Sequence, residues 1–230
     1  MSTSPIILAL DTPEIDVAKS WIESTNEVIK IYKAGLEFFL KHGADGIRSL
    51  REAGDFELFL DLKLHDIPNT VAAAAKSVSL INPRFLTVHA SGGSEMVKAA
   101  ADAVPHIDIT AVTILTSLSE EALSEIGYKA NALDSAVQLA KLAVNSGARA
   151  IVCSPLEVSA IRSAVGSAPT IITPGVRPAG DALGDQKRVM TPSDAIAAGA
   201  SLLVIGRPIT SLATPSLMLQ KAREITDSTL

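Results

Sequence analysis

The sequence has one cysteine, few aromatic residues and no excess of positive charge. Its one cysteine, Cys153, excludes an internal disulfide and fits a reducing compartment, so we expect a cytoplasmic protein with an inert buried thiol. Aromatic residues make up only 3% of the chain, so alanine, leucine and isoleucine must supply most of the core. The net charge of −5, without a basic block, argues against nucleic acid as the main partner.

Long apolar runs are absent as well. None approaches the roughly 18 residues that a membrane-spanning helix needs, so we expect no membrane partner. The first residues carry no basic segment, and the apolar run after them ends at Asp11, so we expect no secretory signal peptide. The 230 residues are 47% hydrophobic and show no break in composition, which predicts a single domain over 1–230.

Short apolar segments alternate with helical segments along the chain. Leucine alternates with other residues over 57–64, a period of two that is typical of a β-strand, and Pro68 then favours the start of a helix. We predict strands at 6–10, 28–33, 57–64, 85–89, 107–115, 150–153, 170–173 and 201–205. The main predicted helical segments are 14–24, 35–53, 120–126, 133–146 and 214–225.

Alternating strands and helices predict parallel strands joined by right-handed crossovers. Eight such units close a barrel, so we predict an α/β fold of the (β/α)8 or TIM-barrel type. A doubly wound open sheet is the alternative. No G-x-G-x-x-G follows the first strand, so nothing supports the dinucleotide site that is typical of that alternative.

Charged side chains collect at the ends of the first three predicted strands. Asp11 closes the first, Lys33 the second, and Asp61 and Lys63 the third, with Asp66 just beyond. A barrel brings these ends to one rim, where active sites are built. Alternating signs would keep each group charged. Two plainer interpretations stay open: Asp61 with Lys63 as a structural ion pair, and Asp11 and Lys33 as hydrated rim charges.

The loops after strands seven and eight carry a second group of polar residues. In this fold these loops frequently bind phosphate. Gly206 lets a backbone N–H approach an anion, and Arg207 can donate paired hydrogen bonds to phosphate oxygens. Arg177 and Gln186 lie in the loop after strand seven, and Gln186 would add a neutral donor from a closing loop. Surface salt bridges are the plainer interpretation of both arginines.

The stretch 61–70 has the pattern D-x-K-x-x-D-I-P-N-T, and through it the chain resembles the orotidine 5′-phosphate decarboxylase family. That resemblance implies conversion of orotidine 5′-phosphate (OMP) to UMP and carbon dioxide by a cofactor-free and metal-free homodimer. It extends to Leu8-Ala9-Leu10-Asp11, Tyr32-Lys33, Thr87-Val88-His89-Ala90, Leu115-Thr116-Ser117, Pro174-Gly175-Val176-Arg177 and Gly206-Arg207-Pro208.

The resemblance also implies a role for each charged residue of the rim. Lys63 would donate a proton to C6 of the pyrimidine as carbon dioxide leaves. Asp61 would lie against the departing carboxylate. Lys33 would pair with Asp61 and contact the ribose, and Asp11 would bind a ribose hydroxyl.

Further residues would bind the substrate or complete the site of a neighbouring subunit. Asp66, Ile67 and Thr70 would enter that neighbouring site, with Asp66 among the catalytic groups. Thr116 would help to position the substrate beside Ser117, which would contact the base. The resemblance implies that the phosphate is bound by Arg177, Gln186, Gly206 and Arg207.

Two other functions stay open. Metal-dependent sugar-phosphate barrels share the D-x-K-x-x-D array and use magnesium, although the I-P-N-T sequence after it argues against them. His65 and Asp66 are adjacent and point apart at a strand end, so we expect no metal site there. A non-catalytic nucleotide-binding barrel is the second alternative, and it would bind UMP but turn over nothing.

Overall fold

Eight parallel strands close one barrel in chain order in the computed structural model, which describes residues 4–178 and 190–229. Ile7 of the first strand pairs with Val204 of the last, and this pairing closes the ring. The predicted (β/α)8 fold is therefore confirmed. The strands are β1 (Ile6–Ala9), β2 (Ile31–Gly35), β3 (Glu57–Leu64), β4 (Phe85–His89), β5 (Asp108–Val112), β6 (Ala150–Val152), β7 (Thr170–Thr173) and β8 (Leu202–Ile205).

Helices connect the strands on the outside of the barrel. Several begin with proline in the first turn, where its missing N–H costs nothing; Pro68 starts one of them. They are α1 (Ile15–Thr25), α2 (Leu36–Arg51), α3 (Pro68–Ser79), α4 (Gly93–Ala103), α5 (Glu120–Glu125), α6 (Ala132–Asn145), α7 (Val158–Val165), α8 (Pro192–Ala197), α9 (Arg207–Thr210) and α10 (Pro215–Asp227). Within the described ranges, none has both the length and the apolar character needed to cross a bilayer.

The strands separate two apolar cores. In β3, Leu58 and Leu60 pack outward against the helices, whereas Phe59 points into the barrel. There it meets Phe85 of β4 edge to face, with ring centroids 5.7 Å apart. The interior core consists of Ile7, Ile31, Phe59, Phe85, Ala150 and Ile172. Because this core fills the lower part of the barrel, the inward positions nearer the carboxyl ends of β2, β3 and β4 can carry the polar side chains of Lys33, Asp61 and Thr87.

The second and fifth strands differ most from the prediction, whereas the first, sixth and eighth are each one residue shorter than predicted. The second strand begins at Ile31 rather than at Val28, because the amides of Val28 and Ile29 donate back to the carbonyl of Thr25 in the turn after α1. It continues to Gly35, so Lys33 lies within the strand and not at its end.

The fifth strand is shorter than predicted at both ends. It covers Asp108–Val112, whereas the apolar pattern continues from 107 to 115. Its last residue pairs with Val152, which is itself the last residue of β6, so no strand is available to pair with the residues that follow. The apolar side chains of the residues that follow line a cavity, and their backbone does not continue the sheet.

Candidate active site

Strand β3 is irregular near its carboxyl end. Leu60 pairs with Leu86 of β4, and Leu64 pairs with Val88. Three residues of β3 therefore face the single residue Thr87. Such bulges bend a strand and redirect its side chains, and they are frequent beside active sites.

Lys63 lies inside this bulge with φ 47°, in the left-handed region. An L-residue other than glycine adopts this region at a cost of about 1 kcal/mol or more. Residues held in that conformation cluster at functional sites. The backbone N–H of Lys63 donates to the hydroxyl of Thr87 at 2.8 Å, so a side chain stabilises the irregular backbone.

The carboxylate of Asp61 forms the centre of a compact charge array. Lys63 Nζ donates to both of its oxygens, at 2.8 and 2.9 Å, and the Thr87 hydroxyl donates to one of them at 3.0 Å. Lys33 Nζ lies 3.6 Å from the same carboxylate and donates to Asp11 at 2.9 Å. The structure thus brings together the four rim charges that the strand-end pattern had grouped.

Burial and charge act in opposite directions on the two innermost groups. Burial by itself lowers the pKa of Lys33, but the attraction of Asp11 and Asp61 outweighs it, and the pKa is raised. Burial by itself raises the pKa of Asp61, but Lys33, Lys63 and the hydrogen bonds from Lys63 and Thr87 lower it overall. At neutral pH both groups are therefore charged.

Exposure distinguishes the two lysines. The side chain of Lys33 is 11% exposed, whereas that of Lys63 is 30% exposed. Gly35 leaves room for the inner ammonium, because a Cβ at that position would lie 3.3 Å from Lys33 Nζ. Lys33 is thus fixed between two carboxylates, and Lys63 is the more accessible cation.

His89 lies at the end of β4 beside this array. Its pKa is lowered by burial first and then by the nearby His65 and Lys63, although Asp61 opposes the shift. Its ring lies 5.5 Å from that of His65, measured between centroids. His89 is therefore a neutral imidazole at pH 7 and adds no charge to the rim.

A cavity of about 320 Å³ opens above the array. That volume lies within the roughly 300–1,000 Å³ that is usual for small-molecule sites. Its polar lining consists of Asp11, Lys33, Asp61 and Lys63 of the array, together with Gly175, Arg177, Gly206 and Arg207 from the loops after β7 and β8. The apolar wall consists mainly of Phe59, Val112, Ile114, Leu115, Val152 and Val204. This lining suits a ligand that combines an apolar surface with an anionic group.

The two arginines of the cavity are held differently. Arg177 is buried; its side chain donates to the carbonyl of Val176 at 2.8 Å, and its backbone N–H donates to Met190 at 3.0 Å. Arg207 is exposed and begins α9 directly after Gly206. A Cβ on Gly206 would lie 3.4 Å from that of Ala9, so the loop after β8 packs closely on the end of β1.

The remaining predicted residues fall into three groups. Thr116 lines the cavity, whereas Ser117 is exposed and outside its lining. Asp66, Ile67 and Thr70 are exposed and also outside the lining. Gln186 lies outside the described residues.

Thr87 is the site residue that the sequence analysis missed. It appeared there only within the T-V-H-A segment, without a role. Its position in the strand was the signal that could have found it. Thr87 lies two residues after Phe85, and residues two apart on a strand point to the same side, so both side chains point into the barrel. In the described part of the chain, no cluster of three or more His, Cys, Asp and Glu side chains is arranged to bind a metal ion.

Comparisons with known proteins identify the family of the chain. The profile of the orotidine 5′-phosphate decarboxylase / HUMPS family matches residues 4–222. The chain is 53% identical over 212 residues to the orotidine 5′-phosphate decarboxylase of Thermobifida fusca, covering 92% of this chain and 91% of that protein. It is 44% identical over 231 residues to that of Frankia casuarinae, covering 93% and 84% respectively. The crystal structure of orotidine 5′-phosphate decarboxylase from Lactobacillus acidophilus superposes with a TM-score of 0.84 at 34% identity, covering 97% of this chain and 99% of that one.

Proposed function

The chain belongs to the orotidine 5′-phosphate decarboxylase / HUMPS family, and we propose that it converts OMP to UMP and carbon dioxide. It is an enzyme of the carboxy-lyase class. The observation that carries the proposal is the array of Asp11, Lys33, Asp61 and Lys63 in a cavity that Arg177 and Arg207 also line. A nucleoside monophosphate whose base carries a carboxylate matches this lining.

The chemistry requires a cation beside the reacting carbon. When the bond from C6 to the carboxylate breaks, its electron pair stays on C6 in the plane of the ring, where no π-system can delocalise it. A fixed ammonium stabilises that charge and then supplies the proton. We assign this role to Lys63, because it is the more accessible lysine of the array and contacts the cavity.

The neighbouring charges would prepare Lys63 and the substrate. Asp61 holds the Lys63 ammonium through two short contacts and would repel the substrate carboxylate until carbon dioxide leaves. Lys33 keeps Asp61 ionised and would contact the ribose. Asp11, with its side chain 67% exposed, would accept a hydrogen bond from a ribose hydroxyl.

The loops after β7 and β8 would bind the phosphate. Arg207 offers a planar guanidinium at the start of α9. Arg177, Gly206 and Gln186 complete the proposed phosphate site. Binding energy from this remote group would be used to align the base with Lys63.

An absorbance assay with a chelator tests the proposed reaction. Purified protein is mixed with OMP in EDTA, and the ultraviolet change that accompanies formation of UMP is followed. We expect full turnover, because the proposed mechanism uses only side chains of the protein. Turnover that disappears with EDTA and returns with magnesium would indicate a metal-dependent sugar-phosphate enzyme. Binding of UMP without any turnover of OMP would indicate a non-catalytic barrel.

We further propose a homodimer in which Asp66, Ile67 and Thr70 complete the neighbour's site. All three are exposed near the rim that carries the charge array, and the side chain of Ile67 is 65% exposed. A second cavity of about 230 Å³ reaches Lys33 and Asp61 from the side of α2, which leaves room for groups from another chain.

Complementation between two inactive variants tests the shared site. Lys63→Ala and Asp66→Ala chains, coexpressed, should form mixed dimers in which one site has both residues intact. About a quarter of wild-type activity is expected from random pairing. Lys63→Ala with Lys33→Ala is the matched control and should stay inactive, because both residues serve their own chain. Recovery in neither mixture, or equal recovery in both, would contradict the shared site.

We also propose that residues 1–230 form one catalytic domain that acts in the cytoplasm, without a cofactor, in de novo pyrimidine biosynthesis. The closed barrel supports the single domain, since its strands extend from Ile6 to Ile205. Expression in a strain that lacks this decarboxylase should restore growth without uracil. Failure to grow, despite activity in the purified protein, would contradict the proposed pathway.

A further inference from the structure

Thr87 is buried in β4 and contacts both central residues of the charge array. Its side chain has no solvent exposure. The hydroxyl donates to Asp61 at 3.0 Å and accepts from the backbone N–H of Lys63 at 2.8 Å. A hydroxyl has only one proton to donate. The Thr87 proton therefore points at the Asp61 carboxylate, and the hydroxyl oxygen accepts from the N–H of Lys63.

The bulge explains why a hydroxyl is needed at this position. Because three residues of β3 face Thr87 alone, the ladder between β3 and β4 is interrupted there. A backbone N–H that is withdrawn from water without finding an acceptor destabilises the fold. The Thr87 hydroxyl supplies the acceptor for Lys63 where the ladder is interrupted, and thereby supports its left-handed backbone.

We propose that Thr87 is a positioning residue for the decarboxylation, whose hydroxyl fixes the Asp61 carboxylate relative to the Lys63 backbone so that the Lys63 ammonium is aimed into the cavity. This inference rests on the proposed function. Thr87 does not line the cavity and acts through the two residues that do. Its hydrogen bond is also one of the contributions that lower the pKa of Asp61.

A neighbouring threonine provides a matched control. Thr110 lies directly opposite Thr87 in the pairing of β4 with β5, and it is equally buried. Its hydroxyl donates to the backbone carbonyl of Asp108 in its own strand at 2.9 Å. The two positions therefore match in burial and strand environment. They differ in the acceptor of the hydroxyl, which is the Asp61 carboxylate for Thr87 and a backbone carbonyl for Thr110.

The test compares kcat and KM for OMP in three variants. Valine has nearly the shape of threonine without the hydroxyl. Thr87→Val should lower kcat about ten- to a hundredfold, the usual effect of losing a hydrogen bond to a charged group, and should leave KM near the wild-type value. Thr87→Ser should restore most of kcat, because it keeps the hydroxyl. Thr110→Val should retain wild-type kcat.

Several results would overturn the inference. Thr87→Val with wild-type kcat would do so, as would Thr87→Ser being as impaired as Thr87→Val, or Thr110→Val losing as much activity. If Thr87→Val does not fold, the comparison of Thr87→Ser with Thr87→Ala isolates the hydroxyl, and equal kcat values would reject its role.

A measurement without substrate separates this inference from the proposed function. If the wild-type protein does not decarboxylate OMP, the proposed function fails by itself. The pKa of the Asp61 carboxyl, followed by carbon-13 NMR, then decides the role of Thr87. It should rise in Thr87→Val and stay unchanged in Thr110→Val and Thr87→Ser. An unchanged pKa in Thr87→Val would overturn the positioning role.

Discussion

Lys63→Ala is expected to lower the kcat for decarboxylation of OMP by about 10⁴-fold or more, since it removes both the proton donor and the cation beside C6. The protein should still fold. Asp61 keeps its contacts with Lys33 and with the Thr87 hydroxyl, so no buried charge is left without a partner. A single-turnover assay with excess enzyme gives the sensitivity that this measurement needs.

The control for Lys63 is a lysine on the surface. Lys98 is 67% exposed and donates to Asp102 on α4, so Lys98→Ala should retain wild-type kcat. Thermal unfolding and UMP binding of Lys63→Ala should match the wild type, which would show that the site is intact. Wild-type turnover in Lys63→Ala would reject the proton-donor assignment, and the accessible lysine of the array would then have only a structural role.

Arg207→Ala is expected to weaken binding of OMP about a hundredfold, because it removes charge-assisted hydrogen bonds to the phosphate. Binding of orotidine, which has no phosphate, should change little. Arg207 is exposed at the first residue of α9, so the substitution should not disturb the core. Isothermal titration with OMP analogues that are not turned over, with and without the phosphate, measures the difference directly.

Arg149 provides the matched control for Arg207. It is half exposed and pairs with Asp108 at the start of β5, which is the opposite end of the barrel from the cavity. Arg149→Ala changes the net charge by the same amount and should leave both affinities unchanged. Equal losses for the phosphorylated and unphosphorylated ligands in Arg207→Ala would mean that this arginine does not bind the phosphate.

The sequence predicted the barrel and the grouping of its rim charges for one physical reason. Alternating strands and helices leave parallel closure as the simplest topology, and closure brings the carboxyl ends of all strands to one rim. Asp11, Lys33, Asp61 and Lys63 follow or belong to three different strands, yet their charged atoms lie within hydrogen-bonding or ion-pair distance. Closure of the barrel thus brings the four residues together although their three strands lie far apart in the sequence.

The bulge was not predictable from the same pattern. Leucine alternates without a break through Leu64, so a period-two pattern suggests a regular strand up to that point. The irregularity appears only in the register with β4, which depends on a strand twenty residues away. Thr87 escaped prediction for this reason, because its contacts exist only across the bulge.

Local pattern also could not fix how far each strand extends. The apolar run after residue 112 continues in the sequence, but β6 ends at Val152 and leaves nothing to pair with it. Ser117 adjoins Thr116 in the chain, yet only Thr116 lines the cavity. The contact of Ser117 with the base stays a prediction, as does the entry of the exposed residues 66, 67 and 70 into the site of a neighbouring subunit.

The apolar layer beneath the cavity has a consequence for protein engineering. Phe59 precedes Asp61 by two residues on β3, and Phe85 precedes Thr87 by two residues on β4, so the same two strands carry the interior core and the charges above it. Repacking these rings to gain thermal stability would shift the very backbone that aims Lys63. Stabilising substitutions are therefore better sought on the helix-facing side or at the far rim, where heat resistance can be improved without loss of turnover.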